Sequence, residues 1–163
     1  MIRLQFVLGR DISSRFVAWY GNGYGGFSHV DAVLSDGTLL GARSDEVSGG
    51  DGVRIRSSDP PYEKWKRREV YGLQCSAADE FTWETWLRSE LGHAYNPGAI
   101  WDFVLGRRDL TKRGRWICSE LQTKALQKIA KLPTLPVPAS QVTPNSLLLM
   151  FCAIGARGIR PNQ

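Results

Sequence analysis

Apolar and polar positions alternate from the start of the chain. Ile2, Leu4, Phe6 and Leu8 interleave with Arg3, Gln5 and Val7, the period-two pattern of a strand. Residues 28–34, SHVDAVL, repeat it, with Val30, Ala32 and Leu34 on one face and His29, Asp31 and Val33 on the other. Ser35-Asp36-Gly37 marks a hairpin turn, from which Thr38–Arg43 returns as the partner strand. Gly52–Arg56, closed by Pro60-Pro61, and Arg68–Cys75 predict two more strands. Between the first two strands Asp11 caps a short helix through Tyr20, with Ile12, Phe16 and Trp19 on one side. The glycine-rich GNGYGG of residues 21–26 follows. It lacks the lysine and spacing of a phosphate-binding loop.

The period changes in the second half. Ser76 with Asp79 resembles a capping box, and Phe81, Trp83, Trp86, Leu87 and Leu91 follow at helical spacing up to Gly92. Asn96-Pro97 opens a further helix with Ile100, Trp101 and Val104 inward. Residues 117–131, ICSELQTKALQKIAK, form the strongest helix: Leu121, Ala125 and Ile129 recur every fourth position, with no Gly or Pro inside. Thr143-Pro144 reads as a turn, and Leu147–Ala153 as a buried strand or helix end. Strands followed by helices, without strict alternation, predict an α+β fold with an antiparallel sheet.

A length of 163 residues fits one domain, 1–163, with a core over about 2–150. The longest apolar run, Leu147–Ile154, is too short for a transmembrane helix. The N-terminal MIRLQFVLGRD shows no secretory signal, so a cytoplasmic location is expected. Three cysteines, Cys75, Cys118 and Cys152, do not make a disulfide framework. Without CxxC, HxxxH or a clustered Cys/His set, no metal or other cofactor is expected. The net charge of +5 permits an anionic partner without requiring one. Two basic stretches, RRDLTKRGR (107–115) and KWKRR (64–68), raise the question of nucleic acid, yet such runs are more often solvated loops.

Chemistry concentrates at Cys118 and His29. Cys118 lies at the first turn of the strongest helix, where the positive end of the dipole favours thiolate, and Lys112, Arg113 and Arg115 add positive potential. The same position suits a small buried packing residue. His29 shares a strand face with Asp31, and a carboxylate there can orient an imidazole and stabilise its protonated form. A strand histidine of this kind is as readily structural. His93, after Gly92, reads as a helix-end residue.

The segments FSHVDAVLSDG…GVRIR, LGHAYNPGAIWDFVLG, RWICSELQTKAL and VTPNSLL, in this order, resemble the circularly permuted NlpC-type branch of papain-like cysteine amidohydrolases, including YiiX-like and prophage-encoded proteins. The resemblance spans roughly residues 2–150. It implies a papain-like α+β fold in which a small antiparallel sheet or barrel packs on the nucleophile helix. It implies Cys118 as nucleophile and His29 as general base, with the histidine preceding the cysteine as in the permuted branch. Many relatives carry the orienting polar residue about twelve positions after the histidine. Here that position is Gly41, which leaves Asp31 as first choice and Glu120 as second. Tyr95 matches the tyrosine of a Gly-x-x-Tyr-Asp segment and is expected to line the pocket or assist the oxyanion, although Asn96 stands in place of the aspartate.

The activity this implies is amide-bond hydrolysis in a peptide or peptidoglycan stem, in a cytoplasmic or phage-associated setting. Two alternatives stand beside it: a lipid acyltransferase or thioesterase on the same fold, and a catalytically inactive phage-related protein binding nucleic acid or another anionic polymer.

Overall fold

In the computed structural model the described residues are 1–9, 26–43, 51–57, 65–96 and 115–159. The expected helix at 11–20, most of the glycine loop, the helix after Pro97 and most of the 107–115 basic stretch lie outside them.

The first strand, β1 (Ile2–Gly9), lies inside a six-stranded antiparallel sheet. On one side it pairs with β2 (His29–Val33), which continues through β3 (Leu39–Arg43) to β4 (Gly52–Arg56). On the other it pairs with β5 (Trp65–Leu73), which begins earlier than the sequence pattern predicts. The hairpin between β2 and β3 closes at Gly37, whose φ of 82° suits glycine, while Asp36 Oδ1 accepts from the Thr38 backbone N–H at 2.9 Å. Two helices surround the region after β5: α1 (Ala77–Ser89) and α2 (Cys118–Lys128). Between them, β6 (Ala94–Tyr95) and β7 (Arg115–Trp116) form a short parallel pair. A third helix, α3 (Pro144–Ala153), and an edge strand, β8 (Arg157–Ile159) against β5, complete the described chain. The architecture is α+β, as expected. No helix among the described residues is long and apolar enough to cross a membrane.

The core lies between the sheet and α2. Leu121, Ala125 and Leu126 meet Val30, Ala32, Leu40 and Ala42, with Leu4 and Phe6 beneath. Burying each large aliphatic side chain contributes about 1.5–3 kcal/mol. Every residue from Cys118 to Thr123 is buried, and several of their polar groups find partners, while Gln122 Oε1 has none. Ser119 Oγ donates to Val142 O at 2.5 Å, Gln122 Nε2 to Leu40 O at 3.1 Å and Thr123 Oγ1 to Ser119 O at 2.8 Å. These bonds fix the rotation and depth of α2 on β3.

The structure sharpens three sequence readings. Leu147–Ala153 belongs to a helix, because Thr143 Oγ1 accepts from the Ser146 N–H and Pro144 occupies the first turn, where a missing N–H costs nothing. A short apolar run does not by itself distinguish strand from helix. Along α1 only Trp83 and Leu87, four apart, are buried, whereas Phe81 lies on the opposite side and is exposed. The alternation in β1 marks the strand but not its exposure: Gln5 and Val7 are buried along with Ile2, Leu4, Phe6 and Leu8. The face of Gln5 and Val7 carries the site described next.

Candidate active site

Strand pairing sets the site. In the β1–β2 register Gln5 stands opposite Asp31 and Val7 opposite His29, so these side chains share one face of the sheet. The β2–β3 ladder is Ala32 with Leu40 and Val33 with Leu39. Continued by one step it brings Asp31 over Gly41. A Cβ at Gly41 would lie 1.9 Å from Asp31 Oδ1, so a residue without a side chain is needed there. The position that the resemblance marks for an orienting side chain is thus filled by a carboxylate reaching over from the neighbouring strand.

His29 Nε2 lies 2.7 Å from Asp31 Oδ1. Asp31 is fully buried, and the His29 side chain is 14% exposed. The other Asp31 oxygen accepts from Arg43, and Arg43 Nε lies 2.9 Å from the same Nε2. With Nε2 engaged, Nδ1 is the ring nitrogen left for the thiol. Cys118, the first residue of α2, is close enough to the His29 side chain and the Val30 backbone N–H for both to lower its titration. Tyr95, on β6, is close enough for the Cys118 thiolate to raise its titration.

The electrostatics follow from these contacts. Burial opposes a charged His29, as does Arg43, but the Asp31 carboxylate and the Cys118 thiolate together outweigh them, and the imidazole is raised to about 9. Burial likewise opposes ionisation of Asp31, yet Arg43 and His29 hold its carboxyl well below the usual range. At Cys118 burial favours the thiol, but the His29 charge and the hydrogen bonds from His29 and Val30 N–H lower its pKa, against a smaller opposing effect of Asp31. Cys152 behaves oppositely: burial raises it. The Tyr95 hydroxyl is raised by burial and by the negative charges of Cys118 and Asp51, so it remains a donor.

Of the residues singled out from sequence, Cys118, His29, Asp31 and Tyr95 converge. Glu120 serves its own helix. Its carboxylate accepts the Ile117 N–H at the helix start, and burial raises its pKa against that bond and Lys124. His93 lies elsewhere, 2.7 Å from Glu90 Oε2, at the end of α1. Arg115 is exposed on β7, while Lys112 and Arg113 are outside the described residues. Among the described residues no group of three or more His, Cys, Asp or Glu could hold a metal.

Three participants were not singled out. Arg43 is buried, and its guanidinium stacks on the Trp65 ring, 5.1 Å from the centroid. Gln5, opposite Asp31, has both amide ends buried without a hydrogen-bond partner. Asn145 in α3 binds both backbone groups of Phe27: Oδ1 accepts from the Phe27 N–H at 2.7 Å and Nδ2 donates to its carbonyl at 3.3 Å. That fixes the entry to β2 two residues before His29. A Cβ on Gly26 would crowd Asn145 Nδ2 at 2.5 Å.

Compared with known proteins, the chain matches no family model and no curated sequence.

Proposed function

We propose that this protein is a cysteine hydrolase of amide bonds in a peptide or peptidoglycan stem, with a papain-like fold of the circularly permuted NlpC type. The observation that carries the reading is the meeting of the Cys118 thiol with the His29 imidazole, itself held by the buried Asp31 carboxylate. A lowered thiol beside a raised imidazole favours a thiolate–imidazolium pair.

The Cys118 thiolate attacks the carbonyl carbon, forming a C–S bond and an oxyanion. The backbone N–H of Cys118, at the first position of α2 and without an intrahelical acceptor, and the Tyr95 hydroxyl are the donors for that oxygen. Imidazolium Nδ1 then gives its proton to the amide nitrogen, the C–N bond breaks, and an amine leaves. Neutral His29 next takes a proton from water. The hydroxide oxygen bonds to the thioester carbon, the C–S bond breaks, and the acid departs with the thiolate restored. Asp31 keeps the ring oriented throughout. The basic surface suits an anionic wall polymer.

The test is alkylation and turnover together. Iodoacetamide near neutral pH, read by peptide mapping, is expected to label Cys118 ahead of Cys75 and Cys152, and Cys118→Ala is expected to abolish hydrolysis of peptide or peptidoglycan fragments while leaving the fold intact. Equal labelling of the three thiols, or full turnover by the variant, overturns the reading.

A further inference from the structure

We propose that Arg43 is a positioning residue that offsets part of the Asp31 charge felt by His29, leaving the imidazolium able to release its proton during turnover. The inference rests on the reading of Cys118 and His29 as a proton-sharing pair.

A buried carboxylate beside an imidazolium is a strong trap for that proton, because the low local dielectric strengthens their attraction. Asp31 is fully buried, so by itself it would hold His29 charged too firmly to serve a leaving amine. The guanidinium offsets part of that excess. It donates to one carboxylate oxygen while Nε2 of His29 faces the other. Arginine does not lose its proton at any pH of interest, so this offset is permanent.

The geometry is built for the purpose. Arg43 stands on β3 two residues beyond Gly41, whose missing side chain lets the Asp31 carboxylate lie within reach. Trp65, from β5, covers the guanidinium. Nε2 of His29 therefore faces both an acceptor and a donor. An imidazolium Nε2–H donates to Asp31. The neutral ring left when Nδ1 gives up its proton keeps its Nε2–H on Asp31. The ring thus keeps a partner at the same nitrogen in both states.

Among the described residues the charged and titratable groups around the ring are Asp31 from β2, Arg43 from β3, Cys118 from α2, and Tyr95 from β6 beyond the sulfur. Arg56, buried on β4, donates to the carbonyls of Gly41, Arg54 and Gly52 and braces the strand that carries Arg43. Arg43 opposes Asp31 at the imidazole, in keeping with the proposal.

The experiment follows the pH dependence of Cys118 alkylation in the full chain, together with NMR titration of the His29 ring. Alkylation should show a lower inflection for the thiol and an upper one for the imidazolium. Arg43→Gln is expected to raise the upper inflection by about one unit or more, the usual effect of a charge at this distance. Arg43→Lys, which restores the charge, is expected to return it to within ~0.3 units of the parent, a rescue that a purely structural role would not give. An upper inflection that is unchanged or lowered in Arg43→Gln overturns the proposal. So does one displaced equally in both variants. If Arg43→Gln does not fold, Arg43→Lys decides: a displacement of a unit or more overturns the proposal, and a value at the parent's supports it. A parent protein in which Cys118 shows no preferential alkylation defeats the functional reading itself. A selective parent whose His29 titration ignores Arg43 defeats only this inference.

Discussion

The chain has two histidines, and each lies 2.7 Å from a carboxylate oxygen. His29 and Asp31 are two apart on a strand, and the carboxylate is fully buried. His93 and Glu90 are three apart where α1 ends, and the imidazole is 45% exposed. Glu90 also accepts from Trp116 Nε1 at 2.9 Å, and Trp116 packs edge-on against Trp86. The local chemistry is nearly the same in both pairs. What separates them is the third and fourth group. His29 gains a thiol on one side and a guanidinium on the other, out of water, whereas His93 gains an indole at the surface. An imidazole–carboxylate contact therefore says little about function until its depth and its remaining neighbours are known.

The comparison breaks most sharply in turnover. His29→Ala is expected to lower hydrolysis by ~10²–10⁴, the usual worth of a positioned acid–base group, while His93→Ala stays within about twofold. Steady-state kinetics on one substrate checks both, and comparable losses would erase the distinction.

Stability should separate the pairs next. Asp31→Asn removes the buried carboxylate that joins Arg43 to His29, at a cost of about 3–5 kcal/mol. Glu90→Gln, whose imidazole partner is 45% exposed, should cost at most ~1 kcal/mol. Denaturant melts of the two variants give the answer. Equal losses would mean that the buried network is not the stronger one.

The pH dependence is somewhat smaller. His29 has a raised folded pKa, so its stabilising contribution is fully present below 6.5 and is lost as pH rises through about 9. A rise from 6.5 to about 9, at about 1.4 kcal/mol per unit, is worth ~3 kcal/mol. Asp31 is lowered, so its contribution is present above its ordinary 3.8 and fades only as pH falls well below it. The stability gap between the parent and His29→Gln should accordingly be widest near pH 5–6 and should close above pH 9. A gap independent of pH would show that the ring is not held charged.

Much of this site was legible in the sequence. An eleven-residue helix without Gly or Pro placed Cys118 at its leading turn, and the period of two put His29 and Asp31 on one strand face. Glu120 could not be told apart from Asp31 by spacing, since both lie two residues from a reactive group. The fold directs Glu120 to the Ile117 N–H instead. Arg43, Gln5 and Asn145 gave no signal, because their partners stand 14, 26 and 118 residues away along the chain. The short pairs β6–β7 and β5–β8 were also invisible, as two or three residues are too few to show a period.

The sequence by itself determined the local elements, the faces they present and the two reactive side chains, because alternation, helical spacing and end signals act within a few residues. Tertiary structure alone decided that the sulfur meets the imidazole, that Asp31 takes the space above Gly41 and that Arg43 offsets part of its charge. Those outcomes depend on strand register and on the depth at which α2 settles against the sheet, and burial then sets how strongly each charge is felt.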